Sequence, residues 1–363
     1  MIQQDTSLLR DIEKLYERVK TSQLPPDLLD KATSMIERLS RMASHGSYSN
    51  EYESISRYID WIVALPWQSR SEDNLDLTRA KAILDKNHHG LVEIKSHILE
   101  YLSVLALRAK ERKPLLSDEI HAGQIGVSRA PILCLVGLVG TGKTTLGFSI
   151  AEAMGRKIHR IPFGGMGESL ALRGQSRSIP DAEPGAIIKA LRRAQTRNPV
   201  ILLDEIDRVA EGARSDIMGV LIEILDPEQN SAFTDHFIDY PFDLSETLFI
   251  ATANNTTNIS VGVLDRLEPL QMASYSDEEK TVIGKSHIFP REVILMGLKM
   301  DQLTIDDRVW PQIIRPLGFD PGIRTLERTI QGICRKVARM IVEGKGQSFT
   351  VTPENVKEFL PTW

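Results

Sequence analysis

Residues 137–145 read GLVGTGKTT, and within them Gly137, Gly142, Lys143 and Thr144 make the pattern G-x-x-x-x-G-K-T. Glycines at this spacing let successive backbone N–H groups turn inward. Leu138, Val139, Gly140, Thr141 and Thr145 then contribute to the same cradle mainly through their main chain. A helix opening at its end adds the positive pole of its dipole. Lys143 would reach the β- and γ-phosphates, and the Thr144 hydroxyl would ligate Mg²⁺. The implied chemistry is capture of a nucleoside triphosphate.

Capture becomes hydrolysis only with acids on the far side of the phosphates. The run VILLDEID supplies them. Val200 to Leu203 bury a strand, and Asp204 emerges at its carboxyl end, where open α/β sheets bind ligands. Asp204 would hold Mg²⁺ directly or through water, and Glu205 would polarise an attacking water. A third strand, in FIATANN, ends at Asn254, which would orient that water or touch the γ-phosphate. Arg266 in LDRLEP and Arg324 in GIRTLER are candidates for an extra cation on the γ-phosphate. The eight histidines show no metal-ligand spacing, and G-x-S-x-G is absent. His88 and His89 read either as adjacent caps or as a surface for a base.

These residues need a frame. The apolar runs 131–136, 199–205 and 247–254 suit strands covered on both faces, as in a parallel sheet. Helical patterns lie between them, and that alternation predicts an α/β fold. Residues 1–70 carry three amphipathic helices, the third stopped by Pro66. Two more helices span 75–108, joined at NHHG, and a linker rich in charge, proline and glycine occupies 109–130. From about 274 the pattern is helical, closing with a strand, SFTVT, and a capped helix, TPENVKEFL.

Composition excludes several classes. A net charge of −5 over 363 residues gives no basic stripe for nucleic acid. No apolar run approaches the roughly 20 residues that cross a bilayer, and the amino terminus lacks the form of a secretory signal. The cytoplasm is the expected compartment, or an organelle matrix in a eukaryote. Cys134 and Cys334 each lie in an apolar periodic stretch and are expected as buried free thiols.

Taken together, GTGKTTLG, NPVILLDEID, LDPEQNSAFTDHFIDYPFDLS, LFIATAN, LDRLE and GIRTLERTIQGICRKVAR resemble the ATPase module of Lon-type ATP-dependent proteases. The resemblance implies an AAA+ P-loop NTPase fold. A helical segment at 1–70 resembles the tail of the family's N-domain, a large α/β domain spans 71–273, and a small helical lid spans 274–363. It implies Asn254 as sensor 1, Arg266 as an arginine finger serving a neighbouring subunit, and Arg324 as sensor 2. It places His89, Gly90 and Leu91 at the adenine, with His89 where a tyrosine is usual. A finger acting in trans implies a homo-oligomeric ring, normally a hexamer, that hydrolyses Mg-ATP and unfolds protein substrates.

Three departures accompany the likeness. The family's proteolytic domain would begin where this sequence ends, so its serine–lysine pair is not expected here. A fragment of a longer protease and an ATPase-only relative, with a protease in cis or in trans, both stay open. The stretch SRSIPDAEPG stands where the family grips substrate with an aromatic; it offers Ile179, Pro180, Asp181 and Glu183 instead. A nucleotide-gated assembly that threads nothing is the alternative this raises. Finally, Leu138 and Val139 replace two prolines of the phosphate loop, leaving it less pre-set.

Overall fold

Strands without a polar face must be covered on both sides, and two layers of helices cover them here. The computed structural model describes residues 2–43, 49–111, 132–315, 320 and 322–361. It opens with α1 (Ile2–Lys20), α2 (Pro26–Ala43), α3 (Ser49–Val63), α4 (Leu77–Asn87) and α5 (Val92–Glu111). Then come β1 (Ile132–Gly137), α6 (Lys143–Met154), β2 (Ile158–Pro162), α7 (Leu170–Arg173), α8 (Ala186–Ala194) and β3 (Val200–Asp204). Next are α9 (Arg214–Leu225), β4 (Phe233–Thr234), β5 (Pro241–Phe242), β6 (Leu248–Ala253), α10 (Val261–Leu264) and β7 (Leu267–Met272). The chain finishes with α11 (Asp277–Ile283), α12 (Phe289–Leu295), β8 (Leu303–Ile305), α13 (Trp310–Ile314), α14 (Arg324–Val342), β9 (Phe349–Val351) and α15 (Val356–Phe359).

Among the described residues the main sheet has five parallel strands, ordered β2-β3-β6-β1-β7. Side chains alternate between its faces. Leu133, Leu135, Val200, Leu202 and Ile250 meet α4, α5 and α6. Cys134, Val136, Ile201, Leu203 and Phe249 enter a core with α8, α9 and the amino-terminal helices. A separate core unites α11 to α15. Both cysteines are buried and free, and burial pushes each thiol up to about 12.

Several expectations need amending. The sheet has two strands beyond the three apolar runs, β2 and β7, one at each edge. The carboxyl-terminal unit includes a parallel pair, β8 with β9. The last helix is one turn long, and at its entrance Asn355 Oδ1 accepts from the Thr352 N–H at 2.7 Å. Helix α5 runs through 109–111, and the rest of that linker lies outside the described residues, as do 44–48 of the first loop.

The amino-terminal helices are fastened to the α/β part by aromatic residues. Tyr58 of α3 is fully buried, and its hydroxyl donates to the Ile238 carbonyl at 3.1 Å. The Trp67 ring lies 5.0 Å from that of Phe242. Truncating a buried aromatic costs about 3–5 kcal/mol. Tyr58→Ala should lose stability in that range by urea denaturation, and Tyr58→Phe only about 1 kcal/mol for the missing hydrogen bond. Equal, small losses would contradict this packing.

Candidate nucleotide site

The carboxyl ends of β1, β3 and β6 lie side by side, with Leu203 opposite Ala251 and Val136 opposite Ala253. Strand β1 ends at Gly137, and α6 begins at Lys143. Between them Gly142 holds φ at 90°, a conformation that a side chain would strain. The Thr141 hydroxyl closes the loop by donating to the Leu138 carbonyl at 2.8 Å, and that of Thr145 donates to Gly142 at 2.8 Å.

Lys143 is buried, and its ammonium donates to the carbonyls of Gly137 at 2.6 Å and Leu138 at 3.0 Å, and to Asn254 Oδ1 at 3.2 Å. Burial lowers its pKa, the carboxylates of Asp207, Glu205 and Asp204 oppose that, and the Arg324 charge reinforces it. The Asn254 side-chain nitrogen is buried without a hydrogen-bond partner among the described residues. A buried donor left this way is costly unless an acceptor reaches it. A phosphoryl oxygen or a water beside Lys143 would meet that need.

Asp204 is buried at the end of β3. Its Oδ1 accepts from the hydroxyls of Thr144 at 3.1 Å and Thr252 at 2.6 Å, and its Oδ2 accepts from Arg160 Nε at 2.6 Å. Hydroxyl and carboxylate oxygens side by side are the hard donors that Mg²⁺ prefers, and the ion keeps water for its other positions. The residues present therefore fit Mg²⁺ together with a triphosphate. Glu205 follows at φ 59° and ψ 50°, a left-handed conformation that costs a non-glycine residue about 1–3 kcal/mol. Its backbone N–H donates to Thr252 Oγ1 at 2.9 Å, which helps hold that turn. Asp207 steadies the next strand end, accepting from the N–H groups of Asn254 at 3.1 Å and Asn255 at 3.4 Å.

The carboxyl-terminal unit reaches the same loop. Tyr275 donates its hydroxyl to the Thr141 carbonyl at 3.1 Å, and the Ile323 N–H donates to Gly140 at 3.1 Å. Gly322 passes so close that a Cβ there would lie 2.5 Å from the Val139 carbonyl oxygen. Arg324, exposed at the start of α14, is thereby brought next to Gly140. Arg266 is not brought to the loop. It is tied to Asp226, and its Nη1 donates to the Gly262 carbonyl at 2.7 Å. That contact holds the Asp226 carboxyl below its usual range.

Two models of known protein families match this sequence. The model of the ATPase family associated with various cellular activities, AAA, matches residues 133–275. The model of the Lon protease AAA+ ATPase lid domain matches residues 295–349. The chain belongs to the Lon-type AAA+ ATPases. It is 41% identical over 350 residues to Lon protease of Lawsonia intracellularis, an alignment spanning 96% of this chain and 40% of that protein. Lon protease 1 of Bacillus subtilis is 40% identical over 96% of this chain and 43% of its own length. For Lon protease 2 of Thermus thermophilus the figures are 39%, 97% and 43%. The Lon-type chain thus spans about two fifths of the length of these curated relatives.

Within this Lon-type module, Gly90 and Leu91 both adopt positive φ, and Leu91 packs against the sheet core and the lid core alike. His89 is half-buried beside them. His88 instead turns inward, its Nε2 2.9 Å from the Ser149 hydroxyl of α6, while its N–H caps α4 on the Leu84 carbonyl. Burial, then the Lys95 charge, pulls the His88 imidazole down to about 4, against a hydrogen bond to the Thr145 backbone. Unfolded, it titrates near 6.5. The folded state favours the neutral ring, so this stabilisation is whole above pH 6.5 and is lost as pH falls toward 4. The loss is at most about 3 kcal/mol. Urea midpoints should fall across that window, and fall less in His88→Gln; parallel pH profiles would refute the assignment.

The loop 176–185 lies between α7 and α8. Ile179 is 47% exposed, whereas the residues around it are tethered. Arg177 stacks 4.0 Å over the Tyr58 ring, Asp181 meets Arg57 at 3.6 Å, and Glu183 meets Lys189 at 2.6 Å. Sequence reasoning passed over Arg160, Thr252, Asp207, Tyr275 and Gly322. The one legible signal among them was Thr252, a lone hydroxyl inside the apolar run LFIATA.

Proposed function

We propose that this chain is an Mg-ATP-hydrolysing motor of a homo-oligomeric ring, working as the unfolding or remodelling engine of a Lon-type protease or of a protease-less relative. One observation carries the reading: at three adjoining strand ends Lys143 donates to Asn254, and Thr144 beside it in sequence donates to Asp204. In this reading the loop from Gly137 to Thr145 binds the triphosphate with its N–H groups, and Lys143 neutralises the β- and γ-oxygens. Thr144 and Asp204 hold Mg²⁺, which when bound offsets phosphate charge. Glu205 orients a water and draws its proton as ATP and water become ADP and phosphate. Asn254 donates to that water or to the γ-phosphoryl oxygen. Arg324 contributes from the lid, Arg266 from a neighbouring copy, and His89, Gly90 and Leu91 flank the adenine. The division at 1–70, 71–273 and 274–363 belongs to the same reading, as does a location in the cytoplasm or an organelle matrix. No helix among the described residues is long and apolar enough to cross a membrane.

The test is phosphate release by the purified chain with ATP, with and without EDTA, beside sedimentation with nucleotide. Turnover that needs Mg²⁺, with assembly, is expected; ATP binding with no release at any protein concentration would defeat the proposal. One observation favours a second reading, a nucleotide-gated assembly that grips no substrate. The loop 176–185 is tied back to α3 through Arg177 and Asp181. An unfolded casein that leaves turnover unchanged while rings still form would select that reading.

A further inference from the structure

Strand β2 is an edge strand, and its register places Arg160 opposite Leu202. Side chains two apart on a strand share a face, so Arg160 and Asp204 are diagonal neighbours on adjoining strands. The guanidinium uses this placement to hold Asp204 Oδ2 at 2.6 Å while staying half exposed itself. The other carboxylate oxygen is fixed independently, by Thr252 at 2.6 Å and Thr144 at 3.1 Å. Arg160 is therefore not alone in aiming Oδ1 at Thr144. Its distinct contribution is charge. Asp204, Glu205 and Asp207 all act on Lys143, as does the Arg324 charge, and Arg160 is the cation bonded directly to Asp204.

We propose that Arg160 sets the cation affinity of the nucleotide site. By balancing Asp204 it keeps a free divalent ion from settling on the carboxylate, so the ion arrives and departs with the nucleotide. The inference rests on the reading of the site as one for Mg-ATP. It separates charge from geometry, because Arg160→Gln retains a donor toward Oδ2 and removes only the charge, whereas Arg160→Lys retains the charge.

The experiment uses the full chain. Mg²⁺ is titrated calorimetrically without nucleotide, and a fluorescent ATP analogue is titrated at fixed Mg²⁺ and in EDTA. Removing one positive charge beside a divalent site should lower the half-saturating Mg²⁺ concentration by about tenfold in Arg160→Gln. Arg160→Lys should stay close to the unaltered protein. Unchanged Mg²⁺ affinity in Arg160→Gln would overturn the proposal. Weaker affinity would overturn it too, and would make Arg160 a holder of the carboxylate instead. Failure of the underlying reading looks different: the unaltered protein would not bind the analogue, or would bind it indifferently to Mg²⁺.

Discussion

Arg266→Ala should lower ATP turnover by at least about 10³-fold, the scale of an arginine that meets the transferring phosphoryl group. The sheet register fits the proposal that the lost cation serves another copy. Leu267 pairs with Ile132 at the start of β1, whereas Gly137, where the phosphate loop begins, pairs with Met272. Six residue steps of about 3.3 Å put Arg266 about 20 Å along the sheet from its own loop. That is further than an arginine side chain reaches. The fixation by Asp226 and the Gly262 carbonyl points the same way, since a side chain offered to a neighbour must be held in advance. Mixing supplies the decisive measurement. Copies carrying Arg266→Ala keep an intact Glu205, and copies carrying Glu205→Gln keep an intact Arg266. Each mixture should recover turnover that neither preparation shows alone. Activity equal to the sum of the two would remove the finger role.

Glu205→Gln should cut turnover by roughly 10²–10⁴-fold, the usual contribution of a positioned base, while nucleotide binding persists. The amide cannot take the water's proton, but it occupies the same volume. Backbone geometry supports the choice of residue. Glu205 is held at φ 59° by its own N–H bond to Thr252, so the turn survives the change of side chain. Stopped-flow release of phosphate and equilibrium binding of a fluorescent ATP analogue measure the two halves separately. Parallel loss of both would mean that Glu205 supports the fold of the loop, not the chemistry.

What the sequence discloses depends on how local each signal is. The runs at β1, β3 and β6 were readable because strands buried on both faces have no polar alternation to confuse with a loop. The edge strands escaped for the opposite reason. IHRIP and LEPLQM mix polar and apolar residues and contain Pro162 and Pro269, which the rim of a sheet tolerates and its centre does not. The site divides in the same way. Lys143 and Thr144 announce themselves through fixed spacing in one turn. Arg160 reaches Asp204 from 44 positions away and Thr252 from 48, and no pattern within either segment records that meeting. His88 and His89 show the limit of chemistry read by type: one ring is buried against α6 while its neighbour stays half-buried beside Gly90 and Leu91.

The lid holds the phosphate loop chiefly by the loop's main chain: the carbonyls of Gly140 and Thr141 accept from it, and Gly322 nestles against Val139. A joint of that kind is indifferent to side chains, so Leu138 and Val139 stand where prolines are usual without unfastening it. It also makes the lid a lever whose short arm is the loop itself. Any tilt of the lid must pull on the carbonyls that shape the cradle, so the cradle's shape and the lid's angle are mechanically one variable.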